Sequence, residues 1–202
     1  MNRLRQIDRF LTRLLLRTLF FLWPQRTMKH YDFADKFQAL YDKAVKTYAS
    51  GQSDQAKYFT ADEQAFLAAN GISVQAMYDY AEDHQGYDEP GYDRALAIET
   101  VRRDYFLNVQ QGKASPAVLD VAKMPAKSDA VKGIEWLPRL IPKAKAKLRG
   151  ELPSSLMYSC GGDRQFFRAH DIHPAEFLSL VWRNLDNDPS TIDWVVKRSA
   201  GK

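Results

Sequence analysis

One feature limits the folds open to this chain more than any other: an apolar pattern that returns after 100 residues. Leu40, Lys43, Ala44, Tyr58, Phe66, Ala69 and Ile72 recur, without a gap, as Leu140, Lys143, Ala144, Tyr158, Phe166, Ala169 and Ile172. Similar residues stand at Phe37/Leu137, Tyr41/Ile141, Tyr48/Leu148, Leu67/Phe167 and Met77/Phe177. Many of these positions are three or four apart, the spacing that lines one face of an α-helix. Self-similarity at a fixed offset points to a duplicated unit. Two unrelated amphipathic helices also look alike, and that plainer reading stands beside it.

Each copy reads as three helices. Phe33, Phe37, Leu40, Tyr41, Ala44 and Tyr48 form the first stripe, which ends near Gly51; Trp136, Leu137, Leu140, Ile141, Ala144 and Leu148 form its counterpart, and Gly150 stands where a C-terminal glycine belongs. The second helix starts at Thr60 with Glu63, a capping box, and in the other copy near Gly162-Asp163. The third starts after Ser73, and after His173-Pro174, where proline suits the first helical position. A central helix over about Tyr92 to Gln111 buries Ile98, Val101, Tyr105 and Val109. Ser190 and Asp193 predict a capping box for a last short helix that buries Ile192, Trp194 and Val195 or Val196. No period-2 strand pattern of any length occurs, so the expected fold is all-α, a bundle of two weakly related three-helix units plus a central helix. Residues 28–112 make the first unit with the central helix, 113–132 a loop-like connection containing Pro116 and Pro125, and 133–202 the second unit.

Charge is unevenly spread. Six arginines against Asp8 give residues 1–27 a charge of +5, so of the net +4 the remaining residues hold −1. A near-neutral body argues against a nucleic-acid partner. Asp79, Glu82, Asp83, Asp88, Glu89 and Asp93 form an acidic run, and Arg139, Lys143, Lys145, Lys147 and Arg149 a basic one; the expected role of both is a solvated face, or mutual attraction. Arg5, Arg9, Arg13 and Arg17 share one face of an N-terminal amphipathic helix, opposite an apolar face that continues through Phe20 to Trp23. Three readings stay open for it: a helix lying on a membrane surface, a helix packed on the body or a second subunit, and translation starting at Met28 instead. Its longest apolar run is far short of the ~20 residues that spanning requires. Cys160 is the only cysteine, which suits a reducing, cytoplasmic setting.

"GIEWLPRLIPKAKAKLRGELPSSLMYSCGGDRQFFRAHDIHPAEFLSLVW", residues 133–182, resembles a bacterial family known as domain of unknown function 5069. The likeness is carried by "WLPRLIPKAKAKLRG", Tyr158-x-Cys160, Asp163, "FF" and "DIHPAEFL". It implies a small helical domain and brings no activity with it.

Within that stretch, Ser159 to Phe177 concentrates the residues able to do chemistry. His173 aligns with Ser73 as a helix N-cap, Glu176 suits the positive end of the same helix, and Asp171 aligns with the turn glycine Gly71. Cys160, Gly161, Gly162, Asp163, Arg164 and His170 have no such account. A Gly-Gly helix start frees backbone N–H groups for an anion, Arg164 adds a fork for carboxylate or phosphate, and a thiol there gains nucleophilicity. Three readings compete. Cys160 is buried while Asp163 caps the helix; or the corner is an anion or small-ligand pocket; or Cys160, His170 and His173 form a metal or Cys/His centre. The spacing is poor for structural zinc. Arg102, Arg103 and Asp104 could meet the same corner, or pair with the acidic run. No phosphate-loop, dinucleotide or metalloprotease motif occurs, and no cofactor is expected. The expected role is a non-catalytic binding or interaction module, with protein partners or self-association open, and peripheral to a membrane if residues 1–27 make it so. The alternative is a small-ligand or anion sensor, or an enzyme, centred on the Cys160 helix start.

Overall fold

The computed structural model describes residues 30–201, and the amphipathic segment 1–27 with its membrane-surface candidates Arg5, Arg9, Arg13, Arg17, Phe20 and Trp23 lies outside them. The chain divides between Lys36 and Phe37 into two units; of the first, the described residues are a turn at 30–32 and the opening turn of α1. The described fold is an all-α bundle: α1 Phe33–Ala49, α2 Ala61–Ala69, α3 Val74–Tyr87, α4 Tyr92–Asn108, α5 Leu137–Arg149, α6 Gly161–His170, α7 Pro174–Arg183 and α8 Asp188–Ala200. No described helix is long and apolar enough to cross a membrane.

Helix ends follow their local chemistry. Thr60 and Glu63 form the capping box of α2, and Ser73 Oγ accepts from Ala76 N–H at the start of α3. His173 Nδ1 accepts from Ala175 N–H, while the Glu176 carboxylate accepts from His173 N–H, closing the start of α7. Asp171 and Gly150 end α6 and α5 in the left-handed region, with φ of 52° and 72°. Helices α2 and α6 begin 100 residues apart, as do α3 and α7. After both α2 and α6 the chain turns identically, Ile72 N–H donating to Leu67 O and Ile172 N–H to Phe167 O, each at 2.9 Å.

The core is built around α4. It packs against α5 and α7, which also pack on each other. Ile98 and Tyr105 join Leu137, Leu140, Leu148, Phe177 and Val181 in one apolar cluster. On the side of α1 and α3, Phe37, Leu40, Tyr41, Leu67, Met77 and Tyr80 are buried, and the Tyr41 hydroxyl donates to Pro90 O at 2.6 Å.

Some expectations are corrected. Asn187, not Ser190, caps α8: its Oδ1 accepts from Ser190 N–H, so the helix begins three residues earlier, and Val195 is its buried valine. Ala130–Val131 pairs with Ile134–Glu135 in a two-residue hairpin. It is too short to carry a period, and Lys132 and Gly133, both at positive φ, form its turn. Val109 is exposed, whereas Glu99, Arg102 and Arg103 are buried on α4. The buried face of α4 is therefore not a purely apolar stripe.

The Gly-Gly pair has a steric reason at its second member. A Cβ at Gly162 would lie 2.5 Å from the Trp136 ring, whereas one at Gly161 meets nothing nearer than 3.9 Å. Gly162→Ala is expected to lower stability by about 1–3 kcal/mol, and Gly161→Ala to change it by less than about 0.5 kcal/mol. Equal midpoints for both variants in urea unfolding would remove this account.

Candidate functional site

The Cys160 corner is a polar cluster in which Cys160 itself is half-buried, not buried. Lys143, on α5, reaches the start of α6 and donates to Asp163 Oδ2 at 2.7 Å and to Cys160 Sγ at 3.2 Å. Asp163 Oδ2 also accepts from Ser159 N–H at 2.8 Å, and Oδ1 from the Trp136 indole at 3.0 Å. The pair is dry, with Lys143 and Asp163 side chains 3% and 0% exposed. Asp163 does not cap α6; the N-cap position is Cys160, whose side chain makes no capping bond.

Arg164 is equally committed. Its Nη1 donates to Asp83 Oδ2 at 2.6 Å and to Ser159 O at 2.8 Å, and its Nε lies 3.0 Å from Glu89 Oε2. Glu89 also pairs with Arg94 and Arg168, and Arg168 holds its carboxyl below the usual range. The acidic run is thus partly spent tying the end of α3 to α6. His170 sits at the far end of α6, about 14 Å along a ten-residue helix, where Nδ1 lies 2.7 Å from Ser199 Oγ. His173 is the cap of α7. Cys160, His170 and His173 are not brought together, and among the described residues no group of three or more His, Cys, Asp or Glu could hold a metal ion.

The same ion pair exists 100 residues earlier, between Lys43 and Glu63 at 2.6 Å, with side chains 39% and 28% exposed. Position for position it matches Lys143–Asp163, but water screens it. Lys143→Met is expected to cost about 3–5 kcal/mol by stranding a buried carboxylate, and Lys43→Met less than about 1 kcal/mol. Similar losses in thermal unfolding would contradict the difference in burial.

A second polar cluster, unmarked by any motif, lies under a cavity of about 300 Å³. Glu99, fully buried, accepts through Oε1 from the Tyr80 hydroxyl at 2.7 Å and from Lys147 Nζ at 2.5 Å. Its Oε2 has no partner among the described residues. Tyr80, Lys147 and Arg102 line the cavity beside Asp79. Burial above all, then Glu99, raises the Tyr80 phenol well above its ordinary value. Arg102 is 3% exposed. It fits because Gly150 has φ of 72° and no Cβ, which would lie 2.5 Å from the guanidinium. The remaining walls include Ile72, Phe106, Leu152, Leu156 and Met157. Apolar walls around a few convergent polar groups are the usual make-up of a small-molecule site. A signal for it was in the sequence: Glu99 and Arg102 fall between Ile98 and Tyr105, at the helical spacing of the buried face.

A scan against models of protein families gives no match, and searches of the curated proteins and of the solved structures give none either.

Burial, more than any neighbour, raises Asp79 from the ordinary 3.8 to about 6, although Gln75 donates to it at 2.6 Å. The folded state thus holds this proton more tightly than the unfolded chain. Below about pH 4 both states are protonated; as pH rises from about 4 to 6 the unfolded state ionises first, and stability falls. Asp79→Asn is expected to be the more stable protein above about pH 6, by on the order of 1–3 kcal/mol. The gap should close near pH 4 when urea unfolding is followed across that range; a pH-independent difference would mean that Asp79 is not the titrating group.

Proposed function

We propose that this protein is a non-catalytic binding module whose ligand is a small molecule held in the cavity between α3, α4 and the end of α5. The observation that carries the reading is the lining: apolar side chains border a space that Arg102, Lys147 and Asp79 also line. Binding is favoured over catalysis because two of the groups there that could move a proton are occupied. Lys147 and the Tyr80 hydroxyl are both given to Glu99, and a phenol with a strongly raised pKa is a poor proton donor at ordinary pH. Support for the cavity over the Cys160 corner comes from occupancy as well: an anion at Arg164 would have to displace Asp83 and Glu89.

The cavity is lined by residues from both copies of the repeat, Ala68 to Tyr80 in the first and Lys147 to Tyr158 in the second, although these two stretches are not each other's counterparts. A duplication followed by growth of a ligand site at the junction is part of the proposal. Matched helix starts and the matched Lys–carboxylate pairs support it. Kinship of residues 133–182 with the domain of unknown function 5069 rests on the residues quoted for it, and a cytoplasmic setting on the single Cys160.

The cavity has room for about ten non-hydrogen atoms at ~30 Å³ each. Compounds of that size are expected to raise the melting temperature of the protein by several degrees at about 100-fold excess over Kd. They should leave Ala76→Trp unmoved, because the indole fills the space beside Ala76. A shift that survives in Ala76→Trp would place the ligand elsewhere and sink the reading.

A further inference from the structure

A buried cation needs an anion nearby, because its desolvation is otherwise uncompensated. Lys143, Lys147 and Arg164 obey this: each is buried and holds a carboxylate oxygen within 3.0 Å. Arg102 does not. It is as buried as they are, yet among the described residues no carboxylate lies within the 4.0 Å of an ion pair. Among the described residues its one hydrogen bond runs from Nη1 to Gln110 Oε1 at 2.9 Å, and a guanidinium has five N–H donors. The nearest negative charges, Glu99 and Glu151, act on it only at longer range, and Glu99 is already shared by Tyr80 and Lys147. Burial lowers the Arg102 pKa from its ordinary value, as expected of a cation short of a partner.

The side chain is held ready. Gln110, which accepts from it, is itself anchored through Nε2 to Arg149 O at 3.0 Å. The guanidinium lies 5.2 Å from the centre of the Phe106 ring, and Gly150 gives it room. It lines a cavity whose other walls include Ile72, Leu152, Leu156 and Met157. Of the charged groups lining that cavity, Lys147 is neutralised by Glu99, and Asp79 bonds to Gln75.

We propose that the cavity takes a small monocarboxylic acid with an apolar body, its carboxylate seated on the free donors of Arg102 and its body against the aliphatic wall. The inference rests on the cavity being a ligand site and adds the chemical class of the ligand. A carboxylate matches the fork of a guanidinium with two parallel bonds, and its charge balances the excess cation.

Octanoate, with ten non-hydrogen atoms, is the probe, and octanamide its uncharged counterpart of equal size. Calorimetric titration of the full-length protein is expected to give octanoate an affinity about tenfold or more above that of octanamide. Arg102→Met should bring octanoate down to the level of octanamide while leaving octanamide within about twofold. Arg102→Lys, which keeps the charge but not the fork, should fall between them and covers the case in which Arg102→Met fails to fold. Equal binding of the two probes to the wild type, abolished in Ala76→Trp, would keep the cavity and overturn the carboxylate. Loss of both probes alike in Arg102→Met and Arg102→Lys would make Arg102 structural and overturn it too. Binding of neither probe to the wild type would overturn the cavity reading together with this inference.

Discussion

Glu99 Oε1 accepts from Tyr80 on α3 and from Lys147 on α5, and Glu99 itself stands on α4, so one oxygen atom fixes three helices. The arrangement is stable only as a whole. A buried carboxylate without Lys147 would be an uncompensated charge, and Lys147 without Glu99 would be another. With both in place α4 can carry charge into the middle of the bundle. Tyr80 belongs to the first repeat-like segment and Lys147 to the second, so the register of one against the other is set at this atom. The cavity above it depends on that register, since its two sides come from those segments.

Much of the architecture was legible because helix boundaries are local. Thr60 with Glu63, Ser73, and His173 with Glu176 end a chain's freedom within four residues, and Gly150 does the same at a C-terminus. The start of α8 was less legible because two candidates overlap: Ser190 and Asp193 have the spacing of a capping box, but Asn187 reaches Ser190 N–H first. The polar interior was hidden for a different reason. Whether Lys143 meets Asp163, or Arg164 meets Asp83, depends on contacts between residues 20 and 81 positions apart, and charge alone favours the surface as the default. For the Gly-Gly pair an anion-binding turn was one of three open readings; the reason for glycine at 162 is a tryptophan 26 residues earlier.

The two Lys–carboxylate pairs show how one pattern is put to different use. Lys43–Glu63 is open to water, while Lys143–Asp163 is enclosed with Trp136, Ser159 and Cys160 around it. In the first pair Lys43 holds Glu63 below its ordinary pKa, and the Thr60 cap adds to the effect; there the carboxylate serves the helix start. In the second the carboxylate makes no cap and is the centre of a buried network.

The stretch from Leu152 to Met157 forms one wall of the cavity outside any helix, while Arg102 and Lys147 are presented by helices whose positions the core dictates. Changes of size within that loop alter the shape of the space without repacking the bundle, and changes at the helical positions disturb the fold. In the proposed site, fit to the body of a guest and retention of its charged end are therefore separable, so that the first can change while the second is kept.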